Sequence, residues 1–316
     1  MKINAVVAPK FGGPEVLTLI HTELPEPDTG QVLVEVRAAG TNPIDYKLFG
    51  GNHGADASQL PMPLGFEVAG VVRGVGGDVE GPSGPLRVND EVIVYRAHGG
   101  YASAVLANAD TVVPKPSAMS FEEASGLMLT GTTAAHALAS VDVTAGDTIL
   151  IHGAAGGVGL MAVQLAVGDG ARVIGTAGEA QHELLRALGA EPVTYGDGLL
   201  ERVRALAPNG VDAALDLIGS EDAGEVSFAL VEDKDRIVTI VATGHARALG
   251  AKAIGGGPGA DPGTEIRSKA RFDLLRRVEA GTLRVIVEKT YPLTQVSAAL
   301  EELADAHAHG KIVLIP

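Results

Sequence analysis

Cysteine is absent from the 316 residues, and that one absence excludes disulfides, thiolate-held zinc and a cysteine nucleophile. Zinc could still be held by histidine and carboxylate, but the nine histidines are scattered and none falls into an H-x-x-x-H or H-E-x-x-H spacing, so no metal is expected. Positive charge is also scarce. Lys and Arg number 24 against 39 Asp and Glu, a formal net charge of −15, which repels phosphate backbones and anionic membranes. Nucleic acid is therefore not an expected partner. Any anionic cofactor has to be held by local donors and helix ends rather than by the overall field. Long apolar runs are missing as well: no stretch approaches the ~18 residues of a membrane span. Met1 to Val7 is too short an apolar run for a signal peptide. No membrane partner and a cytoplasmic location are expected.

What is present describes a globular chain. Hydrophobic residues make up 46% and charged residues 20%, and the length allows two domains. Segments 3–7, 32–38, 68–75 and 91–95 are short, rich in Val and Ile and separated by Gly and Pro, which predicts a β domain. Two prolines at 114 and 116 interrupt the chain, and the Ala-rich stretch 121–140 predicts a helix. From residue 147 strands at 148–152, 172–176, 192–195, 211–217 and 236–241 alternate with helical runs at 158–167, 181–188 and 199–206. That alternation predicts βαβ units and a doubly wound parallel sheet. Residues 255–263 are too rich in glycine and proline for a regular element and form either a flexible connection or a loop over a site. A helix at 265–280, a helix at 293–304 and β-like segments at 283–288 and 311–315 complete the chain.

The strongest chemical signal lies at the start of the alternating region. The apolar strand Thr148 to His152 runs into Gly153-Ala154-Ala155-Gly156-Gly157-Val158-Gly159 and then into an apolar helix. Strand, glycine turn and helix in that order suit a pyrophosphate. The phosphate can approach bare backbone, the first helical N–H groups face it, and the last glycine lets the helix pack on the sheet. The spacing Ala154-x-Gly156-x-x-Gly159 puts alanine where the usual fingerprint has its first glycine. A tight turn that binds no nucleotide would look similar, but the βαβ texture that follows favours a dinucleotide. The candidate contacts are Ala154, Gly156, Gly157, Val158 and Gly159.

A site for NAD usually carries Asp or Glu about 20 residues further on, at the tip of the second strand. Here that tip is Gly175-Thr176-Ala177-Gly178, with no acid, which favours NADPH; Glu179 follows at once, so NADH stays possible. His182 and Tyr195 are the candidate donors to a 2′-phosphate, although a surface-helix histidine and a strand-end tyrosine would read the same way. A phosphate held by His182 predicts NADPH affinity that falls as pH rises through the usual histidine range near 6.5.

In the first third, Asn42, Pro43 and Asp45 form an ordinary helix start at N-cap, N1 and N3. Tyr46 and Lys47 then fall on its first turn, where either could polarise or protonate a carbonyl. Glu67 stands in an apolar run, where an unpaired charge is costly, so it should have a partner.

Taken together, Gly13-Pro14-Glu15-Val16-Leu17, Asn42-Pro43-Ile44-Asp45, Pro63 to Gly70, Asn89-Asp90-Glu91-Val92, Gly99-Gly100-Tyr101-Ala102, His152 to Gly159 and His309 to Leu314 resemble the zinc-free quinone oxidoreductase branch of the medium-chain dehydrogenase/reductase superfamily. The resemblance runs nearly the full length. It implies an α/β protein with a GroES-like β-barrel domain at 1–118 with 282–316 and a Rossmann domain at 119–281. Zinc-dependent relatives have Gly-His-Glu where this chain has Gly65-Phe66-Glu67, and they use a cysteine that this chain lacks. The implied reaction is hydride transfer from NADPH to a quinone or an α,β-unsaturated carbonyl. The alternatives are a biosynthetic enoyl reductase and a non-catalytic NADPH-binding sensor or partner protein. By the same resemblance Asn42, Tyr46 and Lys47 would stand beside the nicotinamide, with Lys47 or Tyr46 as polariser and solvent as a rival proton source. Thr130, Lys311, Thr176, Ala177, Gly178, Gly219 and Val241 would join the cofactor contacts. Substrate choice would lie in the loops 50–60 and 255–263, and a homodimer is expected.

Overall fold

The computed structural model describes residues 1–52, 54–241, 243–305 and 309–316; position 53, inside the 50–60 loop, lies outside the described residues. The chain forms two compact units, Met1–Leu129 with Val285–Pro316, and Thr130–Arg284.

In the first unit β1 (Lys2–Ala8) pairs antiparallel with β2 (Thr18–Glu23). The long β3 (Gln31–Gly40) carries the main sheet and is followed by α1 (Pro43–Phe49). Next come β4 (Met62–Pro63) on β1, β5 (Glu67–Val75) on β3, and a small hairpin of β6 (Glu80–Gly81) and β7 (Gly84–Pro85). β8 (Glu91–Tyr95) pairs with β5, β9 (Ala104–Asn108) with β3, and β10 (Val112–Pro114) with β8. The alternation in β3 explains its packing: Val32, Val34 and Val36 face the main core, while Leu33 joins Ile3, Ala102 and Ala104 on the other side. Two register shifts in the β3–β5 pairing, at Leu33/Val34 and Val36/Ala38, bend the sheet.

The expected helix at 121–140 is two helices, α2 (Phe121–Ala124) and α3 (Met128–Ser140). The helical ladder tightens between them, Gly126 N–H bonding the Glu123 carbonyl at 3.1 Å and Leu127 N–H that of Ala124 at 3.4 Å, and a Cβ on Gly126 would stand 2.8 Å from Lys311 Cγ. Because α2 packs on β3 and β5, residues 119–129 go with the first unit rather than with the second.

The second unit alternates as the sequence predicts: β11 (Thr148–His152), α4 (Gly157–Gly168), β12 (Arg172–Thr176), α5 (His182–Ala187), β13 (Glu191–Val193), α6 (Leu199–Leu206), β14 (Ala213–Asp216), α7 (Glu221–Leu230), β15 (Ile237–Thr239), α8 (Gly244–Leu249), β16 (Lys252–Ala253) and α9 (Thr264–Glu279). Every pairing is parallel and the strand order is β13-β12-β11-β14-β15-β16. That order reverses between β11 and β14, so their carboxyl ends mark the switch point at which open parallel sheets bind ligands. The glycine-rich 255–263 segment is tethered. Asp261 accepts from the Gly263 N–H at 2.9 Å and pairs with buried His136 Nε2 at 3.2 Å.

The chain then re-enters the first unit through β17 (Val287–Pro292), α10 (Val296–Ala304) and β18 (Lys311–Ile315). The expected strand at 283–288 begins later, because Leu283 and Val285 bury their side chains in a non-repeating stretch before pairing starts.

Candidate functional site

The carboxyl end of β11 turns at Gly153, whose φ of 75° favours glycine. Gly153 N–H donates to Thr176 Oγ1 at 3.1 Å and Ala154 N–H to the Thr176 carbonyl at 3.0 Å, so β12 fixes the turn. The buried Thr176 hydroxyl is thus an acceptor for the turn. Gly159 is needed for packing: a Cβ there would collide with the Gly153 carbonyl and lie 2.7 Å from Ala154. Gly156 differs, since its Cβ would sit at an ordinary 3.5 Å from the Gly153 oxygen. The first bond into α4 runs from Leu160 N–H to the Gly156 carbonyl at 2.9 Å. The N–H groups of Gly157, Val158 and Gly159 are thus left at the helix mouth. They offer donors and a positive helix end to a pyrophosphate, and the residues present fit a dinucleotide.

Beside this turn the β14 tip is held by Asp216, a buried carboxylate not singled out from the sequence. Its Oδ1 accepts from Ile218 N–H at 3.0 Å and Gly219 N–H at 2.7 Å, and its Oδ2 from Thr239 Oγ1 at 3.0 Å. Gly219 (φ 79°) and Val241 are neighbours, with a Cβ on Gly219 only 2.6 Å from Val241 Cγ1. The available signal was a strand ending in Asp with glycine three residues on. His152, in the strand before the turn, is buried and stands 3.1 Å from Ser227 Oγ; desolvation holds its pKa down at about 4 against the opposing pull of Asp216.

Past the tip of β12, Ala177 is buried, Gly178 half-buried and Glu179 exposed. His182 places Nε2 3.3 Å from the Ala177 carbonyl, so one ring nitrogen is engaged with the strand tip. Tyr195 is 60% exposed, and a Cβ built on Gly178 would lie 4.0 Å from its hydroxyl. The structure therefore brings Gly178 and Tyr195 together. Thr130 is buried near the start of α3.

The first unit holds a separate buried polar cluster. Lys311 Nζ donates to the Thr41 carbonyl at 2.7 Å, to Asn42 Oδ1 at 2.8 Å and to Glu67 Oε1 at 2.8 Å. Asn42 Nδ2 donates to the same Glu67 oxygen at 3.0 Å, and Leu129 N–H donates to Glu67 Oε2 at 2.9 Å. Glu67 thus has the partner its burial demands. The cluster also changes the reading of Asn42 and Lys311. Both ends of the Asn42 amide and all three Lys311 donors are engaged inside this unit, so these residues hold the start of α1 rather than reach outward.

Asp45 closes the N-terminal turn of α1, its Oδ2 accepting from the Asn42 N–H and from the Tyr101 hydroxyl, each at 2.7 Å. Tyr46 and Lys47 follow on the helix, both half-buried. Burial raises the Tyr46 pKa and lowers that of Lys47. The Lys47 ammonium has no hydrogen-bond or ion-pair partner among the described residues, which leaves its proton available for transfer.

Comparison with known proteins adds a third line. Residues 28–144 match the family described as an alcohol dehydrogenase GroES-like domain, and residues 188–314 the family described as a zinc-binding dehydrogenase. The quinone oxidoreductase of Sus scrofa is 30% identical over 333 residues, covering 99% of this chain and 98% of its own length. The chloroplastic NADPH-dependent alkenal/one oxidoreductase of Arabidopsis thaliana is 30% identical over 333 residues, covering 100% of this chain and 80% of its own length. A mycobacterial protein solved in complex with NADPH has a TM-score of 0.83 at 29% identity, covering 99% of this chain and 100% of that one. The fold class is accordingly a GroES-like domain with a Rossmann-type parallel sheet.

Zinc, which the second family description implies, does not fit here. Among the described residues no three His, Cys, Asp or Glu side chains come together as a metal site. The oxygens of Glu67 face an ammonium and two N–H donors, and Phe66 stands beside it.

Proposed function

This chain belongs to the quinone oxidoreductase branch of the medium-chain dehydrogenase/reductase superfamily, and from that premise we propose that it is an NADPH-dependent oxidoreductase acting on a quinone or an α,β-unsaturated carbonyl. The carrying observation is the glycine turn at Gly153–Gly159, which leaves three helical N–H groups at the switch point of a parallel sheet. NADPH, held there, would supply the hydride.

The chain's own residues have three tasks. Gly157, Val158 and Gly159 offer N–H donors to the pyrophosphate, with Ala154 and Gly156 keeping the approach bare. Ala177, Gly178, His182 and Tyr195 form the proposed ribose-phosphate end, while Gly219 and Val241, braced by Asp216, line the β14 side; Thr130 completes the proposed contacts. Lys47 or Tyr46 is the proposed proton donor to the reduced acceptor, in competition with solvent. Burial favours the neutral amine of Lys47 and so makes its ammonium a stronger acid than a solvated one. Asn42 and Lys311 serve by holding α1.

The activities named for the relatives support the acceptor class, and the NADPH-bound neighbour supports the choice of dinucleotide. No acid stands within Gly175–Gly178 to compete with a 2′-phosphate, although Glu179 adjoins it and NADH is the minor candidate. Homodimer assembly and a cytoplasmic location belong to the same proposal. Among the described residues no helix is long and apolar enough to cross a membrane.

The test is a spectrophotometric screen of NADPH and NADH oxidation against benzoquinone, naphthoquinones, short 2-enals, enones and an enoyl thioester. Faster oxidation of NADPH with a quinone, enal or enone supports the proposal. Turnover of the thioester alone would move the acceptor to acyl chains, and cofactor binding without turnover would leave a dinucleotide-binding protein.

A further inference from the structure

The loop between β13 and α6, residues 194–198, has few side chains able to stiffen it. It contains Gly196 (φ 85°) and Gly198 (φ 77°), and Tyr195 projects from it into solvent. Such a loop should be mobile, yet one side chain fastens nearly all of its carbonyls. Arg202, one turn into α6, donates Nε to the Thr194 carbonyl at 3.1 Å. Its Nη2 lies 2.7 Å from the Thr194 carbonyl, 3.3 Å from that of Tyr195 and 3.1 Å from that of Gly196. Its Nη1 lies 2.6 Å from the Asp197 carbonyl. Four consecutive carbonyls converge on a single guanidinium.

Two further features set this apart from an ordinary loop brace. Among the described residues Arg202 forms no salt bridge, so its bonds go to the loop carbonyls alone. The loop in turn determines where the Tyr195 hydroxyl stands, and that hydroxyl faces Gly178 at the acid-free strand tip. The flat guanidinium carries five N–H donors in fixed directions, against three on a lysine ammonium, and so can hold all four carbonyls in one geometry.

We propose that Arg202 is a positioning residue for cofactor discrimination: by clamping residues 194–197 it holds the Tyr195 hydroxyl over Gly178, where it meets the 2′-phosphate of NADPH. This rests on the NADPH reading of the preceding section and deepens it. Arg202 does not itself touch the cofactor in this role. Its effect passes through Tyr195 and is confined to the group that distinguishes NADPH from NADH.

The experiment measures dissociation constants of NADPH and NADH by cofactor fluorescence for the full-length protein and for Arg202→Met, Arg202→Lys, Tyr195→Phe and the Arg202→Met/Tyr195→Phe double variant. Loss of one charge-assisted contact corresponds to a change of roughly tenfold. Arg202→Met and Tyr195→Phe are each expected to weaken NADPH by about that factor while NADH changes less than about twofold, and the double variant should be no weaker than either single one. Arg202→Lys should restore only part of the loss. Equal weakening of both dinucleotides, additive losses in the double variant, or full rescue by lysine would overturn the clamp while leaving NADPH binding intact. Absence of any NADPH preference in the unsubstituted protein would instead remove the cofactor reading and the clamp with it. Should Arg202→Met melt too early to assay, Tyr195→Phe and Arg202→Lys decide the question by the same NADPH-to-NADH ratio.

Discussion

The carboxyl of Asp45 and the hydroxyl of Tyr101 meet at 2.7 Å with both side chains buried, joining the first turn of α1 to the Gly99-Gly100-Tyr101 segment. Among the described residues Asp45 Oδ1 has no partner, and burial pushes the Asp45 pKa up to about 7 despite the Tyr101 and Asn42 bonds. In the unfolded chain this group titrates at the ordinary aspartate value, so between the two values the folded state holds the extra proton. Its contribution to stability therefore falls as pH rises from about 4 towards 7. Asp45→Asn keeps an acceptor for Tyr101 but cannot ionise. Relative to the unsubstituted protein it should gain stability, by up to a few kcal/mol, as pH rises from 4 to 8. Urea denaturation of both proteins at several pH values measures this, and a pH-independent difference would contradict it.

His152 has the opposite sign. Its pKa is lowered to about 4, so the unfolded chain binds the proton first and stability is lost as pH falls from the ordinary histidine range near 6.5 towards 4. His152→Gln, which retains a hydrogen-bonding group for Ser227, should flatten that acid limb. The check is thermal melting between pH 4 and 7.

Two glycines of the turn should behave differently. Gly159→Ala forces a methyl into the Gly153 carbonyl and should destabilise the second unit by about 1–3 kcal/mol or more. Gly156→Ala has room and should melt close to the unsubstituted protein while losing dinucleotide affinity, because its methyl meets the proposed phosphate approach. Parallel melting and binding curves separate the two effects, and unchanged affinity in Gly156→Ala would argue against the pyrophosphate position.

Removing the ammonium from the buried cluster should be costly. Lys311→Met leaves Glu67 facing only two weaker donors and is expected to lose about 3–5 kcal/mol. Adding Glu67→Gln removes the stranded charge, so the double variant should be more stable than the sum of the single losses implies. A double-mutant cycle in urea reports the coupling, and strict additivity would mean the pair is not energetically linked.

For the chemistry, Lys47→Met and Tyr46→Phe are the informative changes. A residue acting as general acid is worth about 10²-fold or more in kcat, with little effect on cofactor binding. If Lys47 is the donor, kcat should fall as pH rises through its depressed pKa, and Lys47→Met should abolish that limb. Near-normal kcat in both variants would assign protonation to solvent.

Much of the fold was legible because it rests on local patterns. The second unit alternates strand and helix with glycine at its turns, and β11 and β12 have the predicted limits. Errors fell where a distant segment decided the local outcome. Gly126, between α2 and α3, packs against the stem of Lys311, 185 residues away in sequence, and no helical propensity near 126 reports that contact. The later start of β17 likewise follows from its parallel pairing with β18 rather than from its own composition.

By itself the sequence determined the glycine turn, the acid-free tip at Thr176–Gly178 and the absence of any cysteine for zinc, since each depends on residue identity along a short stretch. Only the tertiary structure decided what the polar residues do. Asn42 and Lys311 turned inward because a buried carboxylate at Glu67 requires donors, and Asp216 and Arg202 gained their roles by collecting groups from loops they fold back upon. A side chain's type limits the bonds it can make; which partners arrive within 3 Å or so is set by the packing of the whole chain.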